Sequence, residues 1–193
     1  VYGDTRSWLH TGFAEANRRK DDTTMNQPAH STMVMPTPIG QVLMESSPMG
    51  LVRVAFLTDE EAASLPPLSL GLNPNSTGSS ILVAAASQLG AYFAGKRKGF
   101  DLPLDLKGTD FQRLVWRAVL KIPCGETRDD AWLAAEVGAS PADVAQARTA
   151  NPVPIVVPCH RVVGAAGYVG GPDKQVFLLR HEGVPATPSQ LAP

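Results

Sequence analysis

The chain has 193 residues, with 17 Lys and Arg against 18 Asp and Glu and a formal charge of −1. This length suits one medium domain or two small ones on a continuous core. An apolar share of 44% excludes disorder throughout, and two cysteines exclude a disulfide-dense scaffold or a four-cysteine zinc site. Near-neutrality withholds the basic footprint many nucleic-acid binders carry, leaving local patches to serve that role. The longest apolar runs, such as residues 81–86, are far too short to span a bilayer, so a cytoplasmic protein without membrane contact is expected.

Residues 1–30 mix charged and polar groups around Trp8, Leu9 and Phe13 and read as a disordered or short helical tail. From Thr32, extended segments at 33–35, 42–44 and 52–57, separated by turns at Pro38 to Gly40 and Pro48 to Gly50, predict an antiparallel meander. Residues 66–79 read as a loop. Leu82, Ala85, Ala86, Leu89 and Phe93 then recur at helical spacing and predict a helix able to cover the sheet. Leu102, Leu104 and Leu106 alternate with polar residues and Pro103 in an extended connector. A helix comes next, with Asp110 as its cap and Phe111, Leu114, Val115, Ala118 and Val119 on one face, ending near Ile122 and Pro123. A second helix from Asp129 to Val137 and a third opened by Ser140, Pro141 and Asp143 give a helix-turn-helix outline.

Chemistry concentrates in residues 151–171. Three prolines within eight residues forbid a regular helix, and the apolar Ile155, Val156 and Val157 draw the adjoining chain into the interior, so Cys159 arrives at a rigid, enclosed bend. A buried cysteine is ordinarily an inert small hydrophobe, but His160 and Arg161 beside it supply the proton-accepting and positive surroundings a thiolate needs. Zinc binding lacks ligands, protease chemistry lacks a base with direct reach, and thiol exchange lacks a nearby second cysteine, since Cys124 is remote. Cys124 reads as a core thiol, and His181 as a cation at a helix C-terminus.

The ordered set from Phe111 to Trp116, Ile122 to Arg128, Asn151 and Pro152, Pro158 to Arg161, Gly170 and Gly171, and Leu178 to Gly183 closely resembles the alkylguanine-DNA alkyltransferases, or methylated-DNA-protein-cysteine methyltransferases. The similarity covers residues 109–184 and extends more weakly to Thr32. It implies an α/β fold: an N-terminal antiparallel sheet with a covering helix (31–106), a winged-helix-like DNA-binding domain carrying the active cysteine (107–185), and a tail (186–193). The implied activity is DNA repair by a monomer acting on double-stranded DNA. An alkylated guanine is flipped from the duplex, and its alkyl group passes irreversibly to Cys159 without any cofactor or metal. Glu182 then polarises His160, which deprotonates Cys159 through a water, while Asn151 supports the turn. Tyr168, Val157, Pro158, Arg161 and Gly170 are the implied substrate-pocket residues, and Thr127, Asp130, Ala142, Gln146 and Arg148 the implied DNA-facing positions.

Three departures bear on function. Asp129 and Asp130 stand where the family has Ser and a nucleotide-contacting Tyr, and two carboxylates are expected to repel phosphate. Ala142 stands where the family's intercalating arginine belongs, with Arg148 two turns on within reach of phosphate at best. The loop at 164–167 is shortened. Slow or altered repair is therefore expected, with two alternatives: a paralogue with a reactive thiol but weak DNA binding, and a non-catalytic damage-binding relative, against which Cys159 tells.

Overall fold

The computed structural model describes residues 30–64, 76–164 and 166–187, so the expected tails at 1–29 and 188–193 lie outside it. β1 (Ser31–Thr37), β2 (Gly40–Ser47) and β3 (Gly50–Phe56) form an antiparallel meander in the order β1-β2-β3. Met33 pairs with Met44 and Met35 with Val42, so one face presents a methionine- and valine-rich surface to a covering helix. A short helix, α1 (Asp59–Ser64), comes after the sheet where the sequence offered no periodic signal.

The covering helix α2 (Thr77–Phe93) starts earlier than its apolar periodicity indicates, inside the expected loop, because Ser76 caps it by accepting from the Ser79 amide. The Ser76 and Ser79 hydroxyls also approach Ser31 of β1, and Ser46 of β2 donates to the Gly78 carbonyl at 2.7 Å. This polar seam fixes the helix over the sheet, while Leu82, Ala85, Leu89 and Tyr92, at intervals of three and four, are fully buried. The leucine connector docks as expected of an extended segment: Leu51 donates to the Pro103 carbonyl and Asp105 donates back to Leu51. The approach is so close that a Cβ on Gly50 would lie 2.7 Å from backbone atoms of Leu104 and Asp105.

The second half opens with α3 (Asp110–Val119). Its cap is Thr109, not Asp110: Thr109 and Gln112 satisfy each other's amides in a capping box, leaving Asp110 as the first helical residue. Asp129 caps α4 (Asp130–Val137), which stops at left-handed Gly138, and Ser140 caps α5 (Pro141–Thr149). The Asp143 carboxylate meets the Ser140 hydroxyl and not its amide, so only half of the expected box forms. Trp116 of α3 donates from its indole to the Ala147 carbonyl at 2.9 Å, locking α5 onto α3. β4 (Arg128–Asp129) and β5 (Val162–Val163) pair in parallel, and α6 (Pro172–His181) closes the structure. Ala186, expected in a tail, instead packs with Val176 and Leu179 and accepts from Arg180.

Candidate active site

Between α5 and β5 the chain makes a tight loop that determines everything about Cys159. The Asn151 side chain accepts from the Val153 amide at 3.0 Å and donates to the Val157 carbonyl at 3.0 Å, bracing the loop from inside. Val157 closes back on Val153, and Ile155 at its tip adopts φ 73°. That conformation costs a β-branched residue on the order of 1–3 kcal/mol, and complete burial of Ile155 and the proline-rich frame sustain it. Cys159, His160 and Arg161 then form one turn of 3₁₀ helix, which sends adjacent side chains in divergent directions.

Cys159 is 2% exposed. Its sulfur accepts from Asn151 Nδ2 at 3.1 Å and faces the Arg148 carbonyl at 3.5 Å. Burial pushes the thiol up to about 12, against the smaller opposing effects of the Arg148 charge and the Asn151 hydrogen bond. Almost none of it is thiolate at neutral pH, so nucleophilic use requires a base at the moment of reaction.

An imidazole able to accept a proton is adjacent. His160 Nε2 meets Glu182 Oε1 at 2.8 Å, and both side chains are essentially sealed from solvent. Burial would raise the Glu182 carboxyl, but the hydrogen bonds from His160 and Arg161 outweigh it and hold the group well below the usual range. Burial lowers the His160 imidazole despite the pull of Glu182. A neutral imidazole facing an ionised carboxylate must carry its proton on Nε2, which leaves Nδ1 as the accepting atom. Nδ1 is buried and has no hydrogen-bond partner among the described residues.

The remaining expected positions divide. Tyr168 is buried between Phe56 and His160, each ring centroid 6.1 Å away, and its hydroxyl also lacks a partner among the described residues. Gly170 packs so closely that a Cβ would sit 2.7 Å from the Phe56 ring and 2.9 Å from the Tyr168 ring. Val157 and Pro158 are buried in the frame of the loop. Arg161, expected to line the substrate pocket, turns its guanidinium to the carboxylate: Nε and Nη2 grip both Glu182 oxygens and Nη1 donates to the Ile122 carbonyl. Cys124 is half-buried and not a core thiol, and His181 does more than meet a helix end, bonding the Tyr92 carbonyl at 2.7 Å.

On the helix-turn-helix side, Ala142 and Gln146 are exposed on α5 and Thr127 is half-buried ahead of β4. Arg148 is 1% exposed and donates to both Asp130 oxygens at 3.0 and 3.3 Å and to the Gly167 carbonyl at 2.8 Å. It cannot serve as a surface phosphate contact, and Asp130 is a neutralised partner, not a free repelling charge. The two residues are 18 apart in sequence, and nothing in their spacing revealed that α4 and α5 would press them together, whereas Asp129 stays exposed. A groove of about 370 Å³ opens over the pair, lined by Asp129, Asp130, Ala142, Ala145, Gly164 and Ala166 among others.

Sequence reasoning also missed Tyr92 of α2, whose hydroxyl donates to Glu182 Oε1 at 2.9 Å from the other half of the molecule. Nothing in the sequence around it singles it out. Among the described residues no group of three or more His, Cys, Asp or Glu gathers as a metal site, and no helix is long and apolar enough to cross a membrane.

Two family models match the chain in tandem: 6-O-methylguanine DNA methyltransferase, ribonuclease-like domain, over residues 32–106, and 6-O-methylguanine DNA methyltransferase, DNA binding domain, over residues 110–184. A methylated-DNA–protein-cysteine methyltransferase of Methanosarcina mazei is 39% identical over 155 residues, covering 77% of this chain and 94% of that protein. Its counterpart from Mycolicibacterium paratuberculosis is 44% identical over 146 residues, covering 70% and 88%. The crystal structure of the Mycobacterium tuberculosis O6-methylguanine methyltransferase superposes with a TM-score of 0.64 at 34% identity, covering 83% of this chain and 98% of that one. A DNA complex from the same organism matches with the same TM-score at 37% identity, covering 79% and 92%.

Proposed function

The chain belongs to the 6-O-methylguanine DNA methyltransferase family, and from that membership and the site's geometry we infer that it repairs DNA by moving an alkyl group from the guanine 6-oxygen to Cys159. The observation that carries the reading is a buried cysteine beside a His160 whose Nε2 lies 2.8 Å from Glu182 Oε1 and whose Nδ1 has no partner among the described residues. The proton leaves Cys159 through an intervening water for His160 Nδ1, and Glu182 stabilises the imidazolium. The sulfur attacks the alkyl carbon, the carbon–oxygen bond breaks, and its electron pair stays on the guanine, which takes up the proton. The thioether has no good leaving group, so each chain acts once, and no cofactor enters the balance. Asn151 shapes the loop and hydrogen-bonds the sulfur, which favours the thiolate as it forms.

Because Cys159 lies under the surface, the target base must leave the duplex and enter beside Tyr168 and Gly170. The exposed face of α5, with Ala142 and Gln146, and the groove above Asp130 supply the DNA side, and the chain acts as a monomer in the cytoplasm. An alanine at 142 cannot fill the gap left by a flipped base, so base capture is slow. Single-turnover transfer from a duplex containing O6-methylguanine tests the relay. Wild-type chain transfers, Glu182→Gln slows transfer by at least about tenfold, and Cys159→Ala abolishes it while retaining DNA binding. Equal rates for Glu182→Gln and wild type would rule out the relay.

A further inference from the structure

We propose that Tyr92, on the helix that covers the N-terminal sheet, is a positioning residue of the alkyl-transfer site, holding the same Glu182 oxygen that orients His160. The proposal rests on the functional reading above and extends it to the half of the chain that carries none of the reacting groups.

Glu182 Oε1 receives three donors: His160 Nε2 at 2.8 Å, Arg161 Nη2 at 2.9 Å and the Tyr92 hydroxyl at 2.9 Å. Oε2 receives Arg161 Nε at 2.8 Å and, more weakly, the Gly125 amide at 3.4 Å. An ionised carboxylate can only accept, so Tyr92 must be the donor in its pair. Burial and the negative charge of Glu182 push the Tyr92 phenol far up, which keeps that proton in place. The hydroxyl therefore competes with His160 for one oxygen. It draws off carboxylate charge that would otherwise strengthen the Nε2 bond and raise the basicity of Nδ1.

The hydroxyl is also well fixed. The Tyr92 ring packs against Phe93, Phe100 and His181 at centroid distances of 5.0 to 5.4 Å, and the residue is 1% exposed. The titratable and charged groups facing this cluster are Arg161 beside Glu182, Cys124 near the carboxylate, His181 against the Tyr92 ring, and Tyr168 and Cys159 on the His160 side. Of these, only the Cys124 thiol also acts toward Glu182 as a neutral donor, and a thiol is a weaker donor than the Tyr92 hydroxyl.

The test is Tyr92→Phe in the full chain, which keeps the ring and deletes the donor. Single-turnover transfer from an O6-methylguanine duplex is measured between about pH 5.5 and pH 9, where the acid limb reports protonation of His160. The limb is expected to move up by about half a pH unit or more, because Glu182 then holds the imidazolium more tightly. A lower melting temperature with a limb superimposed on wild type would reduce Tyr92 to a packing residue and overturn the proposal. Site-specific replacement of Tyr92 by a fluorinated tyrosine, a stronger donor of the same shape, is expected to move the limb down, and covers the case in which Tyr92→Phe does not fold. Should wild-type chain transfer nothing from the duplex, the functional reading fails separately, and the same limb read from iodoacetamide capture of Cys159 decides on Tyr92.

Discussion

Asp130→Asn deletes the carboxylate bonded to a nearly inaccessible guanidinium. Arg148 is 1% exposed and Asp130 13%, and two hydrogen bonds at 3.0 and 3.3 Å join them. Removing one partner of a buried ion pair costs about 3–5 kcal/mol, because the survivor stays desolvated without compensation. Arg148 keeps its 2.8 Å bond to the Gly167 carbonyl, and asparagine can still accept one bond, so the lower end, about 3 kcal/mol, is expected. Asp130→Asn combined with Arg148→Met leaves no charge to compensate and is expected to cost less than the single change, giving a coupling of about 2 kcal/mol in a double-mutant cycle. Urea unfolding monitored by tryptophan fluorescence measures each corner, Trp116 and Trp132 both lying in this half of the chain. If Asp130→Asn costs under about 1 kcal/mol and the changes add, the pair is not structural and the account of this face is wrong.

Ala142→Arg, on the exposed start of α5, is expected to tighten binding to an O6-methylguanine duplex by about 1–3 kcal/mol, and a gel-shift titration at fixed salt checks it. The acid stability of the fold depends on three groups depressed by folding, His160, Glu182 and Asp105. The His160 and Glu182 contributions are complete above their unfolded values and decline as pH falls. The melting temperature should therefore drop below about pH 6.5, more steeply below about pH 4.3. A flat profile down to about pH 4 would contradict the buried relay. Gly50→Ala is expected to destabilise by about 2 kcal/mol or more in thermal melts, since its Cβ would meet rigid backbone at 2.7 Å.

How much of this was legible in the sequence depended on whether the controlling interaction was local. The meander, α2 and the helix-turn-helix are set by periodicity, turns and caps within a few residues, and they emerged with small shifts of boundary. The loop before Cys159 announced itself through its prolines. Contacts between remote segments left no such mark. Arg148 was expected to reach phosphate at best and Arg161 to line the substrate pocket, yet carboxylates 18 and 21 residues away engage the two guanidinium groups. Tyr92 went unremarked, because the carboxylate its hydroxyl meets is 90 residues on. Even Thr109 outcompeted the more obvious Asp110, since the reciprocal bond from Gln112 decides the cap.

The central claim is that Cys159 is the alkyl acceptor and acts once. Chain at known concentration is incubated with excess duplex carrying O6-methylguanine, and the product is weighed intact and after proteolysis. The account predicts a plateau at one methyl group per chain, carried on the Cys159 peptide and absent in Cys159→Ala. Methyl groups on Cys124, survival of transfer in Cys159→Ala, or repair continuing beyond one guanine per chain would contradict it.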